Sequence, residues 1–209
     1  MKKILALLSL IALAAGFGGV RAQQITPPDA LVKKTTEEIV SQIRKDNDLA
    51  ANSRKLLDLV DAKVLPHFNF TRMTMLAVGR PWRDASPAQR EELVKQFRTL
   101  LVRTYSTAIE QYSNQTIDVK PANMKPEDNE VTVRTQINQP GGPPIPMDYR
   151  MEKTPQGWKV FDVTVEGVSI VTTYRTSFAT EVGKGGIDGL IKTISDQNAR
   201  LEQRAAGKK

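Results

Sequence analysis

His67 is the only histidine in the 209 residues, and the chain has no cysteine. Thiol nucleophiles, cysteine-ligated zinc and iron–sulfur clusters are therefore excluded, and no set of histidines exists to hold a metal. His67 lies between Pro66 and Phe68 at an expected helix end, which suits capping or packing better than proton transfer. Carboxylates are the next candidates: Asp148, Glu152, Asp162 and Glu166 all fall in expected strands. Alternation puts the four on the polar face of those strands, whereas a general acid needs a dry pocket that raises its pKa. Gly183-Lys184-Gly185-Gly186 lacks the spacing of a phosphate loop and follows no strand, so it reads as a break in a helix. No Gly-x-Ser-x-Gly elbow or dinucleotide fingerprint occurs.

The remaining chemistry is apolar contact. An inward strand row is expected to hold Val131, Val133, Met147, Tyr149, Met151, Phe161, Val163 and Val165. Facing helices are expected to bring Leu76, Phe97, Leu101, Tyr105, Val171 and Tyr174. The same stripes would build an ordinary core, an adaptor with a filled interior, a greasy binding pocket or the pocket of an exported small-molecule enzyme. Periodicity alone does not separate these readings.

Four segments of period 2 must supply the inward row. They centre on Ile117–Val119, Val131–Ile137, Ile145–Met151 and Phe161–Val165, with turns at Gln139-Pro140-Gly141-Gly142 and Pro155-Gln156-Gly157. They predict an antiparallel meander with one apolar face. Helices are expected on both sides of it in sequence. The first is capped at Asp29, a second carries Leu56 to Val64, and a third spans Phe70 to Val78 before Gly79. Ser86-Pro87-Ala88-Gln89 is a capping box with proline at the first helical position. The helix it opens is expected to run to about Tyr112, roughly 40 Å. From Val160 to Phe178 a strand stops at Gly167 and turns directly into a helix bearing Val171, Tyr174 and Phe178. A last helix follows the 183–186 break. The expected architecture is α+β, a four-stranded twisted antiparallel sheet with helices on its apolar face.

The first 22 residues read as a cleaved leader, leaving 23–209 as a single domain. Lys2 and Lys3 precede an apolar run from Ile4 to Phe17, and Val20-Arg21-Ala22 offers small residues where a signal peptidase reads. The run is too short to span a bilayer. Taking Lys2, Lys3 and Arg21 from the 30 basic residues leaves 27 against 23 acidic ones. That mild surplus suits anionic surfaces, and no aromatic-interleaved basic stripe points to nucleic acid.

Three segments carry a resemblance to a known family. Gly79-Arg80-Pro81-Trp82-Arg83-Asp84-Ala85-Ser86-Pro87-Ala88-Gln89-Arg90-Glu91 resembles the G…ATPAQRE segment of the MlaC-type proteins. Glu166-Gly167-Val168-Ser169 with Thr172-Thr173, and Lys184-Gly185-Gly186-Ile187-Asp188-Gly189-Leu190, resemble that family too, in the same order. The family comprises periplasmic phospholipid carriers of the maintenance-of-lipid-asymmetry system, also called the toluene-tolerance auxiliary family. The resemblance implies a monomeric, non-catalytic periplasmic shuttle without cofactor, its cargo a phospholipid. It implies exchange with an outer-membrane lipoprotein–porin complex and an inner-membrane ABC transporter bearing a substrate-binding hexamer. It also implies that the two apolar stripes adjoin as walls of a lipid pocket, with Gly167 at its corner. The expected lining is Leu76, Phe97, Leu101, Tyr105, Val133, Met147, Tyr149, Phe161, Val163, Val165, Val171 and Tyr174.

Overall fold

The computed structural model describes residues 25–46, 49, 52–110 and 115–206. The expected leader, residues 1–22, lies outside them, as does the expected helix end near Tyr112. The order is α1 (Pro28–Lys45), α2 (Ser53–Lys63), α3 (Phe70–Val78), α4 (Pro87–Glu110), β1 (Thr116–Val119), β2 (Glu130–Asn138), β3 (Ile145–Thr154), β4 (Gly157–Val165), β5 (Val168–Ser169) and α5 (Ile170–Ala206). Short 3-10 turns at Leu65–His67 and Arg80–Arg83 flank α3.

The helix starts follow local chemistry. Ser86 Oγ accepts from the Gln89 amide and Gln89 Oε1 accepts from the Ser86 amide, the reciprocal pair of a capping box. Asn52 and Asn69 accept amides of the first turns of α2 and α3. Asp29 departs from expectation. The first helix already begins at Pro28, and Asp29 Oδ2 instead accepts from the Ala122 amide at 3.1 Å, tying α1 to the loop after β1.

All neighbouring strands pair antiparallel in the order β1-β2-β3-β4-β5. The expected meander is present with a fifth strand added. Glu166 (φ 50°) and Gly167 (φ 84°) form a two-residue turn with both φ positive, the geometry that matches the twist of a tight hairpin. It folds Val168 back onto Val165 and Ser169 onto Thr164 before α5 starts. Gly167 therefore closes a hairpin, and it does not join strand directly to helix.

A second difference has larger consequences. Between β3 and β4 the register shifts at Arg150/Met151: Arg150 pairs Asp162, but Met151 pairs Val160. Phe161 is the extra residue, so β4 carries a bulge there. One inserted residue inverts every side chain beyond it. Trp158, Val160, Val163 and Val165 consequently share a face with Met147, Tyr149 and Met151. Phe161, expected on that face, projects from the opposite one.

The interior is thus two clusters. The helical one joins α3, α4 and α5 around Met73, Leu93, Phe97, Leu100, Phe178, Leu190 and Ile194 and takes in Phe161 from the sheet. The other lies between α1 and the first sheet face, with Val32, Val131, Val133, Met151, Trp158, Val160 and Val163. Phe68 and Ile170 pack against both.

Helix α5 bends sharply at Gly185 and Gly186. Gly186, at φ 65° and ψ −163°, occupies a region essentially reserved for glycine. Glu181 Oε2 accepts from Thr193 Oγ1 at 3.1 Å across the bend. No Cβ placed on Gly186 would meet another atom, so Gly186→Ala tests backbone strain alone. Its unfolding free energy is expected to fall by about 1–3 kcal/mol, read from a urea titration; an unchanged midpoint would show that the bend relaxes freely.

Candidate functional site

The apolar cleft candidate is the sheet face under α1. Its buried members Val133 and Val163 are packing residues. Met147, Tyr149 and Val165 stand in the same cluster but keep part of their surface accessible. Met147 pairs Val165, and Tyr149 pairs Val163, so these four make one continuous patch. Burial pushes the Tyr149 phenol up to about 12. Tyr149 nonetheless keeps part of its surface accessible, so α1 does not fully cover this stretch of the apolar face. Phe68 and Ile170 mark where the patch meets the helices.

The expected helix residues take another place. Leu76, Phe97, Leu101, Tyr105, Val171 and Tyr174 all belong to the helical cluster, with Phe161. Phe97 stacks edge-on against Tyr174 and Phe178 at centroid distances of 5.1 and 5.2 Å. Within this group only Leu76, Tyr105 and Tyr174 are incompletely covered. Burial, with the neighbouring Tyr174, holds the Tyr105 phenol above its ordinary range. The twelve expected lining residues therefore form two groups. Val133, Met147, Tyr149, Val163 and Val165 meet on the sheet, and the other seven meet among the helices.

Strand alternation missed Trp158 and Val160, which the bulge turns inward, and Leu31 and Val32, which α1 brings over the sheet. The apolar pair Val160-Phe161 was the available signal, since consecutive buried residues in a strand contradict simple alternation. Phe68 and Ile170, at the junction of the two clusters, had no periodic signal because each sits at an element boundary.

The opposite sheet face is polar and braced. Arg72 on α3 pairs with Glu130 and with Glu152, and its guanidinium stacks 3.7 Å from the Phe161 ring centroid. Asn69 Nδ2 donates to Glu152 at 2.7 Å. Arg150 covers the same ring at 4.7 Å. An open groove of about 560 Å³ on this side is lined by Lys120, Glu130, Arg134, Arg150 and Phe161. Its charged walls suit water and ions and are unlike the apolar sheet face under α1.

Asp162 corrects another expectation. It is 2 % exposed and not on a solvated face. Its carboxylate accepts from Ser169 Oγ at 2.7 Å and from the Val171 amide at 3.3 Å, with Arg150 at 3.6 Å. Ser169 Oγ in turn accepts from the Thr172 amide. Asp162 thus fastens β4 to the start of α5, where the helix dipole favours its charge. These contacts of the carboxylate are all structural, and it lies on the face opposite the apolar patch. Asp162→Ala is expected to cost about 2–4 kcal/mol, because Ser169 and the helix start lose a charged acceptor. A thermal melt that stays put would show the clasp to be dispensable. Among the described residues no group of three or more His, Cys, Asp or Glu could hold a metal, and no helix is long and apolar enough to cross a membrane.

The family model described as MlaC protein matches residues 33–196. The chain is 27% identical over 170 residues to the intermembrane phospholipid transport system binding protein MlaC of Haemophilus influenzae, covering 79% of each chain. It is 28% identical over 188 residues to the toluene tolerance protein Ttg2D of Pseudomonas putida, covering 88% of this chain and 86% of that one. The solved structure of a phospholipid-binding protein from Ralstonia solanacearum, in complex with a phospholipid, superposes with a TM-score of 0.78 at 37% identity. The match covers 85% of this chain and 99% of that chain.

Proposed function

Because the chain belongs to the MlaC family, we propose that it is a periplasmic phospholipid-binding transport protein that holds acyl chains against the sheet face under α1. The observation that carries this reading is the incompletely covered apolar patch of Met147, Tyr149 and Val165 on that sheet face. A phospholipid occupies the Ralstonia solanacearum neighbour of the same fold.

The task demands such a patch. Each buried methylene is worth ~0.8 kcal/mol, so two ordinary acyl chains represent about 20–25 kcal/mol that water withholds. A carrier must replace most of that burial with its own wall. The junction at Phe68 and Ile170 is where the sheet wall passes into the helical one, through Leu76, Tyr105 and Tyr174. Buried Phe97, Leu101, Val133, Phe161, Val163 and Val171 support the wall from behind.

The protein does no bond-making chemistry in this reading. Residues 1–22 direct export and are removed, and 23–209 works as a monomer in the periplasm. Lipid passes directly between this cleft and two membrane assemblies, an outer-membrane lipoprotein–porin complex and an inner-membrane ABC transporter with its substrate-binding hexamer. The mild basic surplus of residues 23–209 favours approach to acidic docking faces. Mass spectrometry of solvent extracts from freshly purified protein tests the central claim, with glycerophospholipid at about one per chain the expected result. Protein that is empty, and that takes up no lipid from vesicles, would sink it.

A further inference from the structure

The Tyr149 hydroxyl is a polar atom set into an apolar wall. It stands on β3 between Met147 and Met151, opposite Val163. Its hydrogen bond goes to the thioether sulfur of Met147, at 3.0 Å. A thioether is a weak acceptor, and a buried phenol ordinarily finds an oxygen or nitrogen. The residue keeps part of its surface accessible, burial pushes the phenol up to about 12, and the thioether contact leaves the hydroxyl a donor only partly engaged. Met147 is flexible and soft, and its sulfur can give way without leaving a rigid void.

The surroundings decide which acceptor fits. The inward row around Tyr149 holds Val131, Val133, Met151, Val160 and Val163 with one hydroxyl, that of Thr135, which already donates to the Met147 carbonyl at 2.6 Å, and no Lys or Arg stands in it. A phosphate there would lose its hydration without a cation to replace it, at a cost far above one hydrogen bond. A neutral carbonyl loses much less. In a diacyl lipid the carbonyls lie where the chains join glycerol, between the fully apolar tails and the charged head.

Resting on the reading of the chain as a phospholipid carrier, we propose that Tyr149 recognises the ester linkage: its hydroxyl leaves the Met147 sulfur and donates to a glycerol-ester carbonyl of the bound lipid. This contact sets how deeply the chains enter and leaves the head group at the cleft mouth. It also makes the carrier selective, since a dialkyl ether lipid has the same chains and head but no carbonyl.

Competition between the two lipids tests this. Delipidated protein is incubated with vesicles of equal parts dioleoyl phosphatidylglycerol and its dialkyl ether analogue, and bound lipid is quantified by mass spectrometry. The unaltered protein is expected to favour the ester about three- to tenfold, the worth of one neutral hydrogen bond. Tyr149→Phe is expected to take both lipids equally. Met147→Leu, which removes the competing sulfur, is expected to raise the ester preference. Equal uptake by the unaltered protein overturns the assignment, as does a preference that persists in a folded Tyr149→Phe variant. Uptake of neither lipid by the unaltered protein overturns the carrier reading, and the assignment with it.

Discussion

Val165→Asp is expected to lower lipid retention by at least about tenfold while leaving the fold in place. Val165 belongs to the sheet-face cluster and pairs Met147, yet part of its surface stays open. In the empty protein a carboxylate there can remain hydrated, helped by the exposed Glu166-Gly167 turn beside it. An acyl chain laid over it would strip that water away. The residue must then either lose its charge or exclude the chain, and each course weakens binding. The neighbouring Val163 is a poorer probe because it is packed in the cluster and a charge there would attack folding as well. Circular dichroism checks the fold, and lipid extraction gives the occupancy. A folded Val165→Asp protein with full occupancy would remove this residue from the wall.

Phe97→Ala should produce the largest loss of stability, about 3–5 kcal/mol. The ring is 0 % exposed and holds α4 to α5 through its edge-on contacts with Tyr174 and Phe178. Alanine leaves a cavity bounded by three helices, whose other contacts limit how far they can collapse into it. For a domain of this size the melting temperature should drop by roughly 10 °C. A drop of only a few degrees would mean that the helical cluster repacks easily and is not a rigid support for the cleft.

These two residues stood in one expected pocket, and the structure places them in different clusters. The reason lies in β4. Alternation holds from Asp162 to Val165 but fails between Phe161 and Asp162, because it assumes an unbroken ladder with β3. Phe161 is an extra residue in that ladder, and the sheet face it occupies is the one Arg72 and Arg150 cover. A bulge depends on how two strands register, and a single strand's residues do not specify its partner's register. Trp158 and Val160 were hidden for the same reason. Asp162 shows a related limit. Strand period put it on a polar face, correctly, but that face is covered at β4 by the start of α5, which converts a solvated carboxylate into a buried clasp.

Local chemistry was legible wherever a few neighbouring residues decide the outcome. The Ser86–Gln89 capping box, the break at Gly185-Gly186 and the turns of the meander follow from side chains competing for nearby backbone groups, or from glycine's access to positive φ. The absence of cysteine and the single histidine bounded the chemistry before any fold was considered. The residues alone therefore determined an α+β chain with apolar stripes and a thin catalytic inventory. Tertiary structure alone decided that the stripes form two clusters, that Phe68 and Ile170 pack against both, and that Met147, Tyr149 and Val165 stay partly accessible. Burial is a property of three-dimensional neighbours, and a one-residue change in strand register redistributes those neighbours between the two faces of a sheet.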